Sequence, residues 1–214
     1  MERERALVLM SGGPDSSTAA YWARSEGRDV RGIFFNYGHL AADYELAGSR
    51  AIAAELGIHL EIVDVRGLRN MLIGFVPPPY VLLAITPGPQ CGDPEGLLGI
   101  ATTYAGLIRA RTVIVGSLAE DLEGFPGLRE FYEHFERAIR VMPRFDGDFE
   151  LLYPFIELRK SELIRLGADL GVPFELTRSC QETTTVNCGR CDHCKARKSA
   201  FSEAGVADAT TYAD

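Results

Sequence analysis

Residues 6–17 read ALVLMSGGPDSS, a continuous apolar run that breaks into a pair of glycines, a proline and a cluster of small polar residues. Ala6 to Met10 has no polar partner positions, as expected of a strand buried on both faces of a sheet. An apolar-periodic stretch from about Thr18 to Ser25 follows, so the whole segment reads as strand, glycine loop, helix. The loop is not the dinucleotide fingerprint G-x-G-x-x-G, nor the Walker loop, which needs a lysine after its second glycine. Gly12 and Gly13 allow close approach of backbone to an anion. The helix start adds unpaired N–H groups and a partial positive charge. Met10, Ser11, Gly12, Gly13, Asp15, Ser16 and Ser17 therefore make a candidate cradle for a pyrophosphate, held largely by neutral donors. Asp15 has two readings, a cap on the helix or a ligand for Mg²⁺ beside the phosphates. A plain tight turn with an Asp cap is the bland alternative.

Further along, the pattern repeats. Val30–Phe35 is a second strand, and residues 42–56 form a helix closed by Gly57. Ile58–Val65 is a third strand and residues 95–109 a helix. Thr112–Gly116 is a fourth strand, followed by a helix over 127–141 with Phe131, Phe135, Ala138 and Ile139 on one face. Phe149–Tyr153 is a fifth strand, and Ser161–Leu170 a helix stopped by Gly171 and Pro173. Residues 66–94, with VPPPY and TPGP, read as an irregular loop over the active-site edge. Five alternations predict an α/β fold with a doubly wound, five-stranded parallel sheet. Ligands in such sheets sit beyond the carboxyl ends of the strands, so the loops after strands one, two, four and five are the places to search. The division expected is 1–172 for this domain and 173–214 for a C-terminal appendage with a short helix near Cys194–Ala204.

That appendage holds Cys180, Cys188, Cys191 and Cys194, spaced C-x7-C-x2-C-x2-C, while Cys91 stands alone. Four clustered thiolates suit a tetrahedral Zn²⁺ site, with Gly189 freeing the tight turn in CGRC. Two disulfides, a redox C-x2-C pair and an iron–sulfur cluster are the alternatives, and His193 is an alternative ligand. The 214 residues carry Lys+Arg 22 against Asp+Glu 30, a net charge of −8, which argues against sequence-independent binding to nucleic acid. No apolar run is long enough to span a bilayer. MERERALVLM mixes acids with arginines around a short apolar core, which reads as neither a signal nor a transit peptide. The expected location is the cytoplasm.

Met10–Ser16 resembles the pyrophosphate loop of N-type ATP pyrophosphatases. The chain as a whole resembles the 7-cyano-7-deazaguanine synthase family (QueC). The resemblance rests on SGGPDSS at 11–17, FNYGH at 35–39, EGFPGLREF at 123–131, LRKSELIRLGADLGVPFELTRSC at 158–180 and CGRCDHCKARKSAFSEAGVADATTY at 188–212. It implies an adenine nucleotide alpha-hydrolase-like fold and a ligase that converts 7-carboxy-7-deazaguanine, ammonia and ATP into the nitrile, releasing AMP and pyrophosphate. On that basis Lys160 neutralises the α-phosphate, or else is a solvated surface lysine. Asn36 and Tyr37 sit against the adenosine. Asp121 or Glu123 accepts N–H donors of the deazapurine, near Arg129. Phe125 stacks on the deazapurine or packs in the core. Zn²⁺, Mg²⁺ with ATP, and a homodimer are also implied.

Three stretches depart from the family pattern. V-P-G-R-N is replaced by Cys91-Gly92-Asp93-Pro94, W-S-C-Y by Arg178-Ser179-Cys180-Gln181, and D-Y-S-G-Y by Asp121-Leu122-Glu123-Gly124-Phe125. Asp93 is expected to point away from the pocket, to pair with a cation such as Arg129, or to face an amine. The alternative function is a QueC-like paralogue that stops at the amide, or joins the activated carboxylate to another amine or a protein acceptor in bacterial defence. tRNA sulfur transfer would need a reactive cysteine pair and a basic surface. A zinc-stabilised nucleotide sensor is the non-enzymatic reading, and NAD or GMP synthetases leave the cysteine tail unexplained.

Overall fold

The computed structural model describes residues 3–67 and 95–213. Five parallel strands, β1 (Arg5–Leu9), β2 (Asp29–Asn36), β3 (Leu60–Asp64), β4 (Thr112–Ile114) and β5 (Glu150–Leu152), form one sheet in the order β3-β2-β1-β4-β5. The chain builds outward from β1 to β3, then returns to the other side of β1. The switch in direction therefore falls between β1 and β4, where a crevice opens at the strand ends.

Side-chain alternation along β1 assigns the two faces. Ala6, Val8 and Met10 meet Ala19, Ala20 and Ala23 of α1 (Pro14–Ser25), Ile52 of α2 (Ala42–Leu56) and Leu163 of α6 (Lys160–Asp169). Leu7 points the other way, into a cluster with Leu98 and Ala101 of α3 (Glu95–Leu107) and Leu128 and Ile139 of α5 (Leu128–Arg140). A short α4 (Ala119–Gly124) precedes α5, and α7 (Asp192–Ala204) follows the cysteine-bearing segment.

Several boundaries differ from the sequence reading, each for a physical reason. Helix α1 starts at Pro14 rather than Thr18, because proline at the first helical position costs no hydrogen bond and presets φ. Asp15 and Ser16 thereby belong to the first helical turn. The buried stripe of α5 is Leu128, Tyr132 and Ile139, flanked by Phe131 and Phe135, whereas Ala138 is exposed. Strand β4 stops at Ile114 because Gly116 lies against α1, where an added Cβ would meet the Asp15 carbonyl oxygen at 3.1 Å. Gly57 closes α2 in the left-handed conformation as expected, with φ 62°. The loop expected over 66–94 lies, beyond Gly67, outside the described residues, as do Cys91 and Asp93.

Candidate active site

The glycine loop is shaped by its own hydroxyls. The Ser11 N–H donates to Ser16 Oγ at 3.0 Å, and the two hydroxyl oxygens are 3.1 Å apart. Ser17 is fully buried, and its hydroxyl donates to the Gly13 carbonyl at 2.8 Å, so it is committed to the fold and turned away from the crevice. Gly12 holds φ +78°, and a Cβ there would sit 2.1 Å from the Glu45 carbonyl oxygen. Only glycine permits that approach of the loop to α2. Gly13 caps α1 in extended conformation with no side-chain hydrogen bond to the cap. The first-turn N–H groups of α1 are thus free of any side-chain cap.

Asp15 does not cap the helix. Its Oδ2 accepts from Lys160 Nζ at 2.7 Å, while its Oδ1 is buried with no hydrogen-bond partner among the described residues. Lys160 is the first residue of α6, and its backbone N–H donates to Glu120 Oε1 at 3.1 Å. It is therefore tied to the loop and is not a solvated surface lysine. A buried carboxylate oxygen without a partner is unfavourable unless a donor or cation meets it. That orphaned oxygen, beside a helix N-terminus that suits phosphate, fits a magnesium ion carried in with a nucleotide.

A cavity of about 280 Å³ opens at this point. Its lining joins Met10, Ser11, Asp15 and Ser16 of the loop with Tyr37 on one side and Asp121 and Phe125 on the other. Tyr37 stacks on His39 with ring centroids 4.2 Å apart. Asn36 uses its Oδ1 to accept the Gly38 N–H at 3.0 Å, which fixes the turn that carries Tyr37. Asp121 accepts the Leu118 N–H at 2.8 Å. Burial pushes the Asp121 carboxyl above its ordinary range, opposed by that N–H and reinforced by the charge of Asp15. Phe125 both lines the cavity and packs on the core cluster, so its two readings are compatible.

Glu123 and Arg129 are not brought to the cavity. Glu123 pairs with Arg159 at 2.7 Å, and Arg129 pairs with Glu157. Both sit where the end of α4 and the first turn of α5 face outward. Sequence reading missed Ser117 and Tyr132, which line the cavity and share a hydrogen bond of 2.8 Å. The signal for Ser117 was its place just after strand four. Tyr132 was concealed because the more apolar Phe131 and Phe135 drew the helix face by one residue.

The four cysteines converge. Their sulfurs all lie within 4.8 Å of one another, with no histidine in the group, and no disulfide joins them. His193 is exposed on α7. N–H groups of Cys188, Cys191 and Cys194 point at sulfurs of Cys180, Cys188 and Cys191 at 3.2–3.4 Å. Gly189 has φ +72°, as the tight turn between ligands requires. Edges of a tetrahedron with metal–sulfur bonds of about 2.3 Å are about 3.8 Å long, and the Cys188–Cys194 sulfur separation is 4.0 Å. The group fits a structural zinc ion.

The cysteine-bearing tail is braced internally by Arg197, which is fully buried, and it packs on the sheet domain through Ile164 and Val172 against Ala200 and Phe201. Arg197 donates to Asp208, to Thr177 Oγ1 at 2.8 Å and to the Phe174 carbonyl at 2.9 Å. Burial alone would raise the Asp208 carboxyl, but the Arg197 guanidinium and Tyr212 hydroxyl hold it below its ordinary value. A carboxyl lowered in the folded state stabilises above its unfolded pKa, near 4, and that contribution is lost as pH falls through the folded value. Asp208→Asn is therefore expected to flatten the fall in Tm below about pH 4. A Tm profile parallel to wild type over that range would remove Asp208 from the acid response.

A parallel sheet of this order, with a glycine loop at the switch point, defines a PP-loop fold of the adenine nucleotide alpha-hydrolase-like class. Solved structures agree on the fold: NMN synthetase from Francisella tularensis aligns at TM-score 0.57 and 17% identity over 96% of this chain and 78% of that one. A 4-thiouridine synthetase, solved with RNA and bound ATP, aligns at TM-score 0.54 and 18% identity over 94% of this chain and 50% of that one. Residues 5–74 and 95–205 match the family described as "Queuosine biosynthesis protein QueC". The 7-cyano-7-deazaguanine synthase of a Nitratiruptor species is 34% identical over 97% of this chain and 98% of its own length. That of Methanoculleus marisnigri is 34% identical over 98% and 99%. The chain belongs to the 7-cyano-7-deazaguanine synthase (QueC) family. No helix among the described residues is long and apolar enough to cross a membrane.

Proposed function

We propose that the protein activates the carboxylate of 7-carboxy-7-deazaguanine with ATP and, with ammonia, converts it to 7-cyano-7-deazaguanine. The observation that supports this is one cavity lined by the glycine loop together with Asp121 and Phe125. Two ligands that meet there react without diffusing apart, which by itself removes much of the entropic barrier. The substrate carboxylate oxygen attacks the α-phosphorus, the bond to the β-phosphate oxygen breaks, and pyrophosphate leaves. Ser11, Gly13 and Ser16 receive the departing group through hydroxyl and backbone donors. Lys160, held by Asp15 and Glu120, brings a positive charge to the transferring α-phosphate. Magnesium, when bound at the free Asp15 oxygen, neutralises phosphate charge. Ammonia then displaces AMP from the acyl-adenylate to give the amide. The amide oxygen attacks a second ATP, and loss of AMP and two N–H protons leaves the nitrile. The cysteine tail, residues 173–214, serves this chemistry as a scaffold.

Mass spectrometry of products from 7-carboxy-7-deazaguanine, ATP and ammonia tests the reading. Nitrile with two AMP per product is expected. Accumulated amide or acyl-adenylate sinks nitrile synthesis and points to an amine donor other than ammonia, a protein included. Lys160→Met should lower kcat by about a hundredfold with a smaller change in KM for ATP, since its charge acts mainly in the transition state. A kcat within a few-fold of wild type would dismiss that role.

A further inference from the structure

We propose that the Ser117–Tyr132 hydroxyl pair, acting with Asp121, selects a 6-oxo, guanine-type base over a 6-amino, adenine-type base. This rests on the reading of the cavity as a deazapurine site, and it adds the edge by which the base is told apart. Ser117 follows β4, and Tyr132 lies in the middle of α5. Their oxygens are 2.8 Å apart, and both residues line the cavity. One hydroxyl must donate to the other, so the pair keeps one O–H to offer. Burial holds the Tyr132 hydroxyl at a pKa of about 12, with Ser117 lowering it and the Asp121 charge raising it, so it remains a donor at working pH. Asp121 faces the same space. One of its oxygens is committed to the Leu118 N–H, and no other hydrogen bond to its carboxylate is present among the described residues.

The walls beside these groups are Val115, Phe125, Leu128 and Leu98. Beside these apolar walls the hydroxyl pair and Asp121 offer one neutral donor and one acceptor, with Asp15 and Lys160 near enough to act on the Asp121 charge. A guanine-type edge presents an acceptor, O6, beside the donors N1–H and the 2-amino group, which is complementary. An adenine-type edge presents a donor beside an acceptor lone pair, so N1 would face the carboxylate and the 6-amino group the hydroxyl donor. In a water-poor pocket such a mismatch leaves polar groups unpaired on both sides, the arrangement that yields strong rejection. The same geometry would keep the adenine of ATP out of the substrate end of the shared cavity.

The test is equilibrium binding of 7-deazaguanine and 7-deazaadenine, with the nucleotide half filled by α,β-methylene-ATP, to wild type, Tyr132→Phe and Ser117→Ala. Wild type is expected to prefer 7-deazaguanine by at least about tenfold, as for sites built to hydrogen-bond a ligand group. Tyr132→Phe should reduce that preference by about tenfold, with Tm and affinity for the ATP analogue retained. Ser117→Ala should have a smaller effect, because Tyr132 can still donate. Equal binding of the two bases by wild type, no measurable binding of 7-deazaguanine, or an undiminished preference in Tyr132→Phe would overturn the inference. So would a loss of ATP-analogue affinity in Tyr132→Phe, which would assign the pair to the adenosine half. Preference for 7-deazaguanine without turnover of its 7-carboxy derivative would instead leave the inference standing and reject the proposed reaction.

Discussion

Cys191→Ser is expected to purify without its zinc ion and to melt well below the wild-type protein. Four sulfurs within 4.8 Å of one another form a site that three cannot close. Zinc binding contributes roughly 10 kcal/mol in apparent terms to small zinc modules. In this chain the tail is also held by Arg197 and by Phe174 packed edge-on against Phe201, so part of the fold survives metal loss. If a third of that energy is lost, a domain of this size falls by about 10 °C, at about 2–4 °C per kcal/mol. The loss should extend to the glycine loop. Arg178, two residues before Cys180, donates its backbone N–H to the Gly12 carbonyl at 2.8 Å. Metal analysis and differential scanning fluorimetry on the same samples decide the matter. One zinc per chain in Cys191→Ser, or loss of zinc in His193→Ala, would show that the ligand set is different.

Gly13→Ala should lose ATP turnover on the order of a hundredfold while keeping its melting temperature. Among the described residues, a Cβ on Gly13 would contact only the Arg178 carbonyl and Ser11 Oγ, at 3.5 and 3.6 Å, which is ordinary packing. The cost would appear when phosphate approaches the backbone, where preorganised donors carry effects of this size. Gly12→Ala should behave in the opposite way and unfold readily. Its φ of +78° is strained for alanine, and the new Cβ would overlap the Glu45 carbonyl. Pyrophosphate release near the wild-type rate in Gly13→Ala would count against the loop as the phosphate site. A stable Gly12→Ala protein would show that the packing of loop on α2 is softer than the distances imply.

The sequence alone determined the alternation of five strands with helices, the place of the glycine loop, the closing of α2 by Gly57 and the grouping of four cysteines. Each of these is written in local terms, in apolar periodicity, in a residue that tolerates positive φ, or in ligand spacing short enough for one turn. Tertiary structure decided which side chains share the cavity. Lys160 reaches Asp15 across 145 residues of chain, and no periodicity records such a pair. Glu123 and Arg129 lie in the right stretch but face outward to Arg159 and Glu157, because helix phase, not proximity in sequence, sets direction. The same phase turns Tyr132, rather than Phe131, toward Ser117. Spacing brought four sulfurs within reach of one ion; tertiary packing holds that site beside the loop, through the Arg178 N–H on the Gly12 carbonyl, while the buried Arg197 guanidinium finds its acceptors within the tail, wherever the fold supplies them.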